Sequence, residues 1–348
     1  VRRVAEARAV YFTAPGVVEI RDEPLPSPGP GQALVRTRMS AISAGTELLI
    51  YRGQAPTELD ADETLAALPG SLTFPIRYGY ACVGDVSEVG PGVEAGWHGQ
   101  TVFAFHPHQD QFVANTDALI PLPPGLSEAD GVFLPNLETA ISLVHDARPI
   151  LGERIVVFGQ GVVGLLTTSM LARMDPERLV TADPIPLRRE TSLGLGAHAA
   201  IDPGTGAAAR LQQALGDSEV PREADLAIEL SGNPAALDLA ISITGYDGRI
   251  VVGSWYGRKG ATLDLGGRFH RNHIQLTSSQ VSRLPPTLRG RWTKARRLDL
   301  ALARLAEVHP SRLVTHRFSL DEAADAYRLL DSSPEAALQV VLTYPAGR

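Results

Sequence analysis

The segment Gly159-Gln160-Gly161-Val162-Val163-Gly164 has the spacing G-x-G-x-x-G. It stands directly after the apolar run Ile155–Phe158 and opens an amphipathic stretch from Val162 to Arg173. Such glycines often match by accident, and the strand before and helix after are what give the pattern chemical meaning. The first glycine permits a tight turn, the second lets backbone approach a pyrophosphate, and the third lets helix and strand pack closely. The N–H groups at the start of the helix then favour an anion. Asp183 follows the next apolar run, Leu179–Ala182, about 20 residues further on. A carboxylate at that place accepts hydrogen bonds from the hydroxyls of an adenosine ribose and repels a 2′-phosphate; the alternative is a simple Asp-Pro turn. The expected ligand is a nicotinamide dinucleotide, NAD ahead of NADP, with Arg188 and Arg189 the residues able to meet a phosphate.

Other residues have chemical potential of a different kind. His106-Pro107-His108 with Asp110 would put two imidazoles on one face if the segment were a strand, and a carboxylate could join them around a metal. A polar loop is the favoured reading of the same residues. Arg283, Arg289, Arg291, Lys294, Arg296 and Arg297 form a basic run. Some of them could line a pocket for an anionic substrate, although a solvated face is expected for most. The single cysteine, Cys82, excludes an intramolecular disulfide and a cysteine-based structural zinc site, and reads as a small buried apolar residue.

These residues need a scaffold. At 348 residues the chain suggests two domains, and its 44% hydrophobic and 20% charged content is that of a globular enzyme. A net charge of -7 argues against generic nucleic-acid binding. No apolar stretch reaches the ~20 residues of a membrane span, and the first ten residues lack the apolar centre of a secretion signal, so a cytoplasmic protein is expected. The first part of the chain reads as short strands punctuated by Pro and Gly, with Pro56–Pro69 an acidic insert carrying a short helix. From about Glu138 strands alternate with helices, the pattern of βαβ units and a parallel sheet. Ser319-Leu320-Asp321-Glu322 spells a capping box, and Ala337–Thr343 a closing strand.

The whole chain resembles the medium-chain dehydrogenase/reductase superfamily, in its alcohol-dehydrogenase-like branch. The likeness rests on Ile42-Ser43-Ala44-Gly45-Thr46-Glu47, Tyr78-Gly79-Tyr80-Ala81-Cys82-Val83-Gly84, Glu138-Thr139-Ala140 and the glycine turn. More narrowly, the wording of these segments is similar to relatives of bacteriochlorophyllide dehydrogenases. The resemblance implies an α/β protein: a GroES-like β-rich catalytic domain over 1–137, a doubly wound Rossmann domain over 138–284, and a return to the catalytic domain over 285–348. It also implies a homodimer, with the active site in the interdomain cleft. In zinc-containing members the metal is held at places where this chain has Ala44, Tyr80, Ala81 and Pro135, none of them a good zinc ligand. The expected protein is zinc-independent.

Without a metal, carbonyl chemistry needs a hydroxyl or imidazole to hold the substrate oxygen and supply a proton. The resemblance places Tyr80 at the vacated ligand position, either as that acid or as a ring that fills the volume. It makes Thr46 the hydroxyl that touches the substrate oxygen and Glu47 the acid behind it, able to orient Tyr80 or His106. His106 or His108 is the alternative acid. Thr139, Gly253 and Ser278 join the glycine turn, Asp183 and Arg188 as cofactor-side candidates. The resulting expectation is an NAD(P)-dependent oxidoreductase acting on an alcohol or ketone. The alternatives are a quinone or enone reductase, and a dinucleotide-binding protein without catalysis.

Overall fold

The computed structural model describes residues 5–61, 64–65, 67–216 and 222–345, which fall into two compact units, Val1–Pro135 with Leu302–Arg348, and Asn136–Ala301. The first unit opens with strands β1 (Ala5–Ala14), β2 (Val17–Leu25), β3 (Gln32–Ala41), β4 (Ile76–Arg77), β5 (Cys82–Val89), β6 (Thr101–Ala104), β7 (Gln111–Asn115) and β8 (Leu119–Pro121). Strand β1 pairs antiparallel with β2 on one edge and β4 on the other. Strands β3, β5, β6 and β8 run antiparallel in a second sheet, and β7 lies against part of β3. This is the GroES-like β-rich architecture. Between β6 and β7 the chain is a loop, laced to β1 where Val10 donates to the His108 carbonyl and Asp110 donates to that of Arg8.

The second unit holds β9 (Arg154–Phe158), β10 (Arg178–Ala182), β11 (Ala199–Ile201), β12 (Ala224–Glu229), β13 (Thr244–Val252) and β14 (Gln275–Ser278). Every pairing is parallel, and the order β11-β10-β9-β12-β13-β14 is that of the doubly wound Rossmann sheet. The continuous apolar run of β9 follows from cover on both faces: Val156 and Phe158 enter one core, Ile155 and Val157 the other. The strand order reverses between β9 and β12, so the turn after Phe158 sits at the switch point, outside the carboxyl ends of the strands.

The chain then returns to the first unit, where β15 (Val314–Ser319) pairs with β16 (Gln339–Thr343), and β16 pairs antiparallel with β3. The Ser319–Glu322 capping box is formed in both directions. Two features depart from the sequence reading. The described part of Pro56–Pro69 consists of turns and a bridge between Asp60 and Ser71, without a helix; Asp62, Glu63 and Ala66 lie outside the described residues. The chain also re-enters the first unit at Leu302, well beyond residue 285, because the start of the helix Lys294–Val308 is tied into the second unit.

That tie is Arg297, which the sequence placed in a basic run expected to be mostly solvated. Its guanidinium is fully buried, donating to Glu138 Oε1 at 2.9 and 3.1 Å, to Ser142 Oγ at 3.1 Å and to the Val281 carbonyl. The run's other members, Arg283, Arg289, Arg291, Lys294 and Arg296, are exposed, and Arg296 stacks over Trp292. Among the described residues no helix is long and apolar enough to cross a membrane. Removing one partner of a buried ion pair leaves the other charge stranded in low dielectric. Arg297→Ala is therefore expected to lower the unfolding free energy by about 3–5 kcal/mol, read from urea denaturation. A loss below about 1 kcal/mol would show the pair to be solvated.

Candidate functional site

The glycine turn is built by steric necessity at two of its three glycines. Gly159 has φ +83°, and a Cβ there would lie 2.6 Å from the backbone of Leu230 and Ser231, at the end of the neighbouring strand. A Cβ on Gly164 would lie 2.0 Å from the Gly159 carbonyl oxygen. A Cβ on Gly161 would meet nothing within 4 Å, so that glycine presents bare backbone to open space. Gly161 caps the helix Val162–Leu171. The N–H groups of Val162, Val163 and Gly164, in its first turn, have no carbonyl behind them within the helix. This is the geometry of an anion cradle at a switch point.

Two residues of that region do different work from what their place in the motif suggests. Gln160 is completely buried: its side-chain amide donates to the Val157 and Gly159 carbonyls and its Oε1 accepts from Thr168. Its backbone N–H donates to Asp183 Oδ2 at 2.7 Å, so Gln160 shapes the turn from inside. Asp183, 2% exposed, also takes the Ile185 N–H on Oδ1 at 2.9 Å. Each carboxylate oxygen keeps a second lone pair, so an anchoring role and a ribose contact are compatible. Arg188 Nη1 stands 3.9 Å from Asp183 Oδ2, and Arg189 is turned back onto the Asp183 and Pro184 carbonyls. A Cβ on Gly253 would meet only the side-chain ends of Leu143 and Leu230, at 2.6 Å. Ser278 ends β14 exposed, beside Ser279, whose hydroxyl donates to Asp146. Thr139 lies half-buried on the helix Leu134–Ala147 that Glu138 pins through Arg297. At the end of β12 the buried Glu229 takes the Ser231 N–H and the Tyr256 hydroxyl, a pairing with no signal in the sequence.

In the first unit the expected catalytic residues fall into two groups. Glu47 is fully buried. Its Oε1 accepts the Ser43 N–H at 2.8 Å, and its Oε2 accepts from His108 Nε2 at 3.0 Å and from the Tyr327 hydroxyl. His108 Nδ1 meets Ser40 Oγ at 2.7 Å, and Ser40 meets the Tyr344 hydroxyl at 2.7 Å. Burial, then the Glu47 charge, holds the Tyr327 phenol far above its usual range. Tyr80 is half-buried and donates its phenol proton to Ser43 Oγ at 2.6 Å, with Tyr78 edge-on at 6.3 Å. Thr46 sits half-buried at the start of the short helix Glu47–Tyr51, and its hydroxyl makes no cap to that helix.

His106 stacks on Phe112, ring centroids 3.8 Å apart, with Nδ1 3.0 Å from the Pro107 carbonyl. A carbonyl only accepts, so Nδ1 carries the hydrogen and Nε2 the lone pair. Burial, opposed by the Pro107 bond and aided by the nearby Arg77 charge, pushes the imidazole down to about 3. A neutral ring of that tautomer is a poor proton donor. His106, His108 and Asp110 do not converge either, because residues 105–110 form a loop and the two-residue period of a strand never applies. Asp110 accepts the Arg8 N–H instead.

The four positions where the resemblance expects zinc ligands carry no set of zinc-binding side chains. Ala44 and Ala81 have no donor atom, Pro135 offers none from its side chain, and the Tyr80 phenol is engaged with Ser43. Among the described residues no group of three or more His, Cys, Asp or Glu could hold a metal ion. Cys82 is buried, its thiol raised by burial and turned onto the His106 and Pro107 carbonyls.

Residues 162–298 match the family model described as zinc-binding dehydrogenase. The chain is 25% identical to the D-guloside 3-dehydrogenase of Escherichia coli K12, over 97% of each chain. It is also 25% identical to the 2-desacetyl-2-hydroxyethyl bacteriochlorophyllide A dehydrogenase of Cereibacter sphaeroides, over 97% of this chain and 98% of the other. A short chain alcohol dehydrogenase from Escherichia coli CFT073, solved with NADH, superposes with a TM-score of 0.78 at 18% identity, covering 97% of this chain and 99% of that one.

Two measurements check this geometry. Gly164→Ala is expected to lower the denaturation midpoint sharply, since its Cβ would collide with backbone, while Gly161→Ala, a poorer N-cap in open space, lowers it only slightly; equal effects would contradict the turn as drawn. His106 binds a proton less readily folded than unfolded, so the unfolded chain holds the extra proton between its ordinary 6.5 and about 3. Stability should accordingly fall as the pH drops through that window, and His106→Gln should flatten the fall, as measured by denaturation midpoints at successive pH values.

Proposed function

We propose that this chain, which resembles the medium-chain dehydrogenase/reductase superfamily over its whole length, is a zinc-independent, NAD(P)-dependent oxidoreductase of alcohols or ketones. The observation that carries the reading is the glycine turn at the switch point, with bare backbone at Gly161 and Asp183 locked beside it. The names of similar proteins, dehydrogenases among them and one solved with NADH, point the same way. The bound nicotinamide would supply or accept the hydride. The N–H groups of Val162 and Val163 would hold the pyrophosphate, and Asp183 would accept from the adenosine ribose hydroxyls. That carboxylate favours NAD, and the adjacent Arg188 makes NADP the alternative. Thr139, Gly253 and Ser278 complete the cofactor-side set.

For the proton, His106 is set aside as a neutral imidazole, a weaker acid than a phenol, and Glu47 is enclosed by its three donors. Tyr80 is the acid of choice. A phenol is protonated at neutral pH, can donate to a developing alkoxide, and stands where zinc relatives place a ligand. Thr46 would supply a second hydrogen bond to the substrate oxygen. The substrate is a small molecule carrying a carbonyl or hydroxyl.

Calorimetric titration with NADH and NADPH, followed by turnover on a panel of ketones and one model enone, tests the reading. Binding of NADH, with Tyr80→Phe lowering kcat by about 10²–10⁴-fold on a reduced ketone, is the expected result. Failure to bind either dinucleotide would overturn it. A clear preference for NADPH would remove the Asp183 argument, and reduction of the enone double bond alone would move the acceptor from oxygen to carbon.

A further inference from the structure

We infer that Ser43 is the positioning residue for the Tyr80 phenol: it fixes the direction of the phenol proton at rest and steadies the phenolate once the proton has left. The inference rests on Tyr80 being the acid proposed above, and it adds a residue that no motif marks.

Ser43 is held by both of its backbone polar groups. Its N–H donates to Glu47 Oε1 at 2.8 Å, and its carbonyl accepts the Glu47 N–H at 2.8 Å. Glu47 is in turn fixed by His108 and Tyr327 inside the core, so the Ser43 backbone cannot drift without uncovering a buried carboxylate. The approach of Tyr80 is fixed from the other side. Gly79, immediately before it, has φ +114°, and a Cβ there would lie 2.6 Å from the His108 ring. The same imidazole therefore braces the backbone ahead of Tyr80 and the carboxylate that holds Ser43. Between these two fixed points runs the Tyr80 O–H to Ser43 Oγ bond, at 2.6 Å.

A serine hydroxyl suits this place because it both accepts and donates. With no substrate oxygen in reach, Ser43 Oγ accepts from the phenol, and for transfer the phenol O–H turns from Ser43 to the substrate oxygen. Once the phenol has passed its proton to a substrate oxygen, the Ser43 O–H can turn and donate to the phenolate oxygen, and solvent later returns the proton to Tyr80. No bond other than O–H changes in this step. The titratable groups that face the pair are Tyr78, edge-on to Tyr80, and Glu47 and His108 behind Ser43 and Gly79. All three stay in every variant below.

The test compares the parent enzyme with Ser43→Ala, Ser43→Thr and Tyr80→Phe. The ionisation of Tyr80 is read as the ultraviolet phenolate signal that Tyr80→Phe removes. Without the Ser43 donor the phenolate loses a charge-assisted hydrogen bond, so Ser43→Ala should raise the Tyr80 pKa by about one pH unit, with Ser43→Thr restoring it. On a reduced ketone, Ser43→Ala should lower kcat by about tenfold with KM unchanged, and Ser43→Thr should recover it. Should Ser43→Ala fail to fold, Ser43→Cys keeps the volume with a weaker donor and is read the same way. An unmoved Tyr80 titration in folded Ser43→Ala overturns the inference, as does a kcat loss shared by Ala and Thr with the titration unmoved. If the parent enzyme turns over no carbonyl, the proposed function fails, while the phenol titration still decides the Ser43–Tyr80 pair.

Discussion

A carboxylate with no solvent exposure can exist only where hydrogen bonds replace its water, and Glu47 is such a group at the centre of the first unit. Its replacements come from far apart in the chain: the Ser43 amide four residues before it, the His108 imidazole in the loop between β6 and β7, and the Tyr327 hydroxyl near the chain's end. Satisfying one charge therefore requires the N-terminal strands, the loop and the C-terminal return to be assembled together. The loop must be drawn to β1, the Tyr344 and Ser40 hydroxyls must close the far side of His108, and residue 79 must lack a side chain. A half-formed network of this kind would be worse than an apolar core, which makes it a determinant of one unique arrangement.

The second unit uses the same device in smaller form. Asp183 takes the Gln160 amide on one oxygen and the Ile185 amide on the other, so the carboxylate at the end of β10 fixes the glycine turn at the end of β9. Gln160 adds a side-chain lock from beneath, and Leu230 and Ser231 press against Gly159 from β12. Three adjacent strand ends hold the turn, and its open side is the Gly161 backbone. Glu229 with Tyr256, and Glu138 with Arg297, repeat the pattern at neighbouring strand and helix ends.

Some of this was legible in the residues alone. The glycine spacing between an apolar run and an amphipathic run carries its own steric logic, and alternating strands and helices announce a parallel sheet, so the Rossmann unit could be read without coordinates. The capping box at Ser319 is a local contract between residues three apart and formed as written. Partners distant in sequence were not legible. Nothing near Glu47 points to Tyr327, and nothing in a basic run separates the buried Arg297 from its exposed neighbours, because burial is decided by what packs above. His106 and His108 were read as part of a polar loop, as the backbone there is, but nothing in that reading says that one ring stacks on Phe112 while the other clamps Glu47.

By itself, then, the sequence determined what short-range geometry sets: the turn that can cradle a phosphate and the strand–helix alternation. It could single out Tyr80 as a phenol, but not what the phenol faces. Only the tertiary structure decided that Ser43 accepts its hydrogen bond, that His108 and Tyr327 clamp Glu47, and that Asp183 braces the turn it accompanies. The physical reason is common to all three. A buried polar group must find a partner, and which one it finds depends on chain segments brought together by apolar packing, a property that no local spacing encodes.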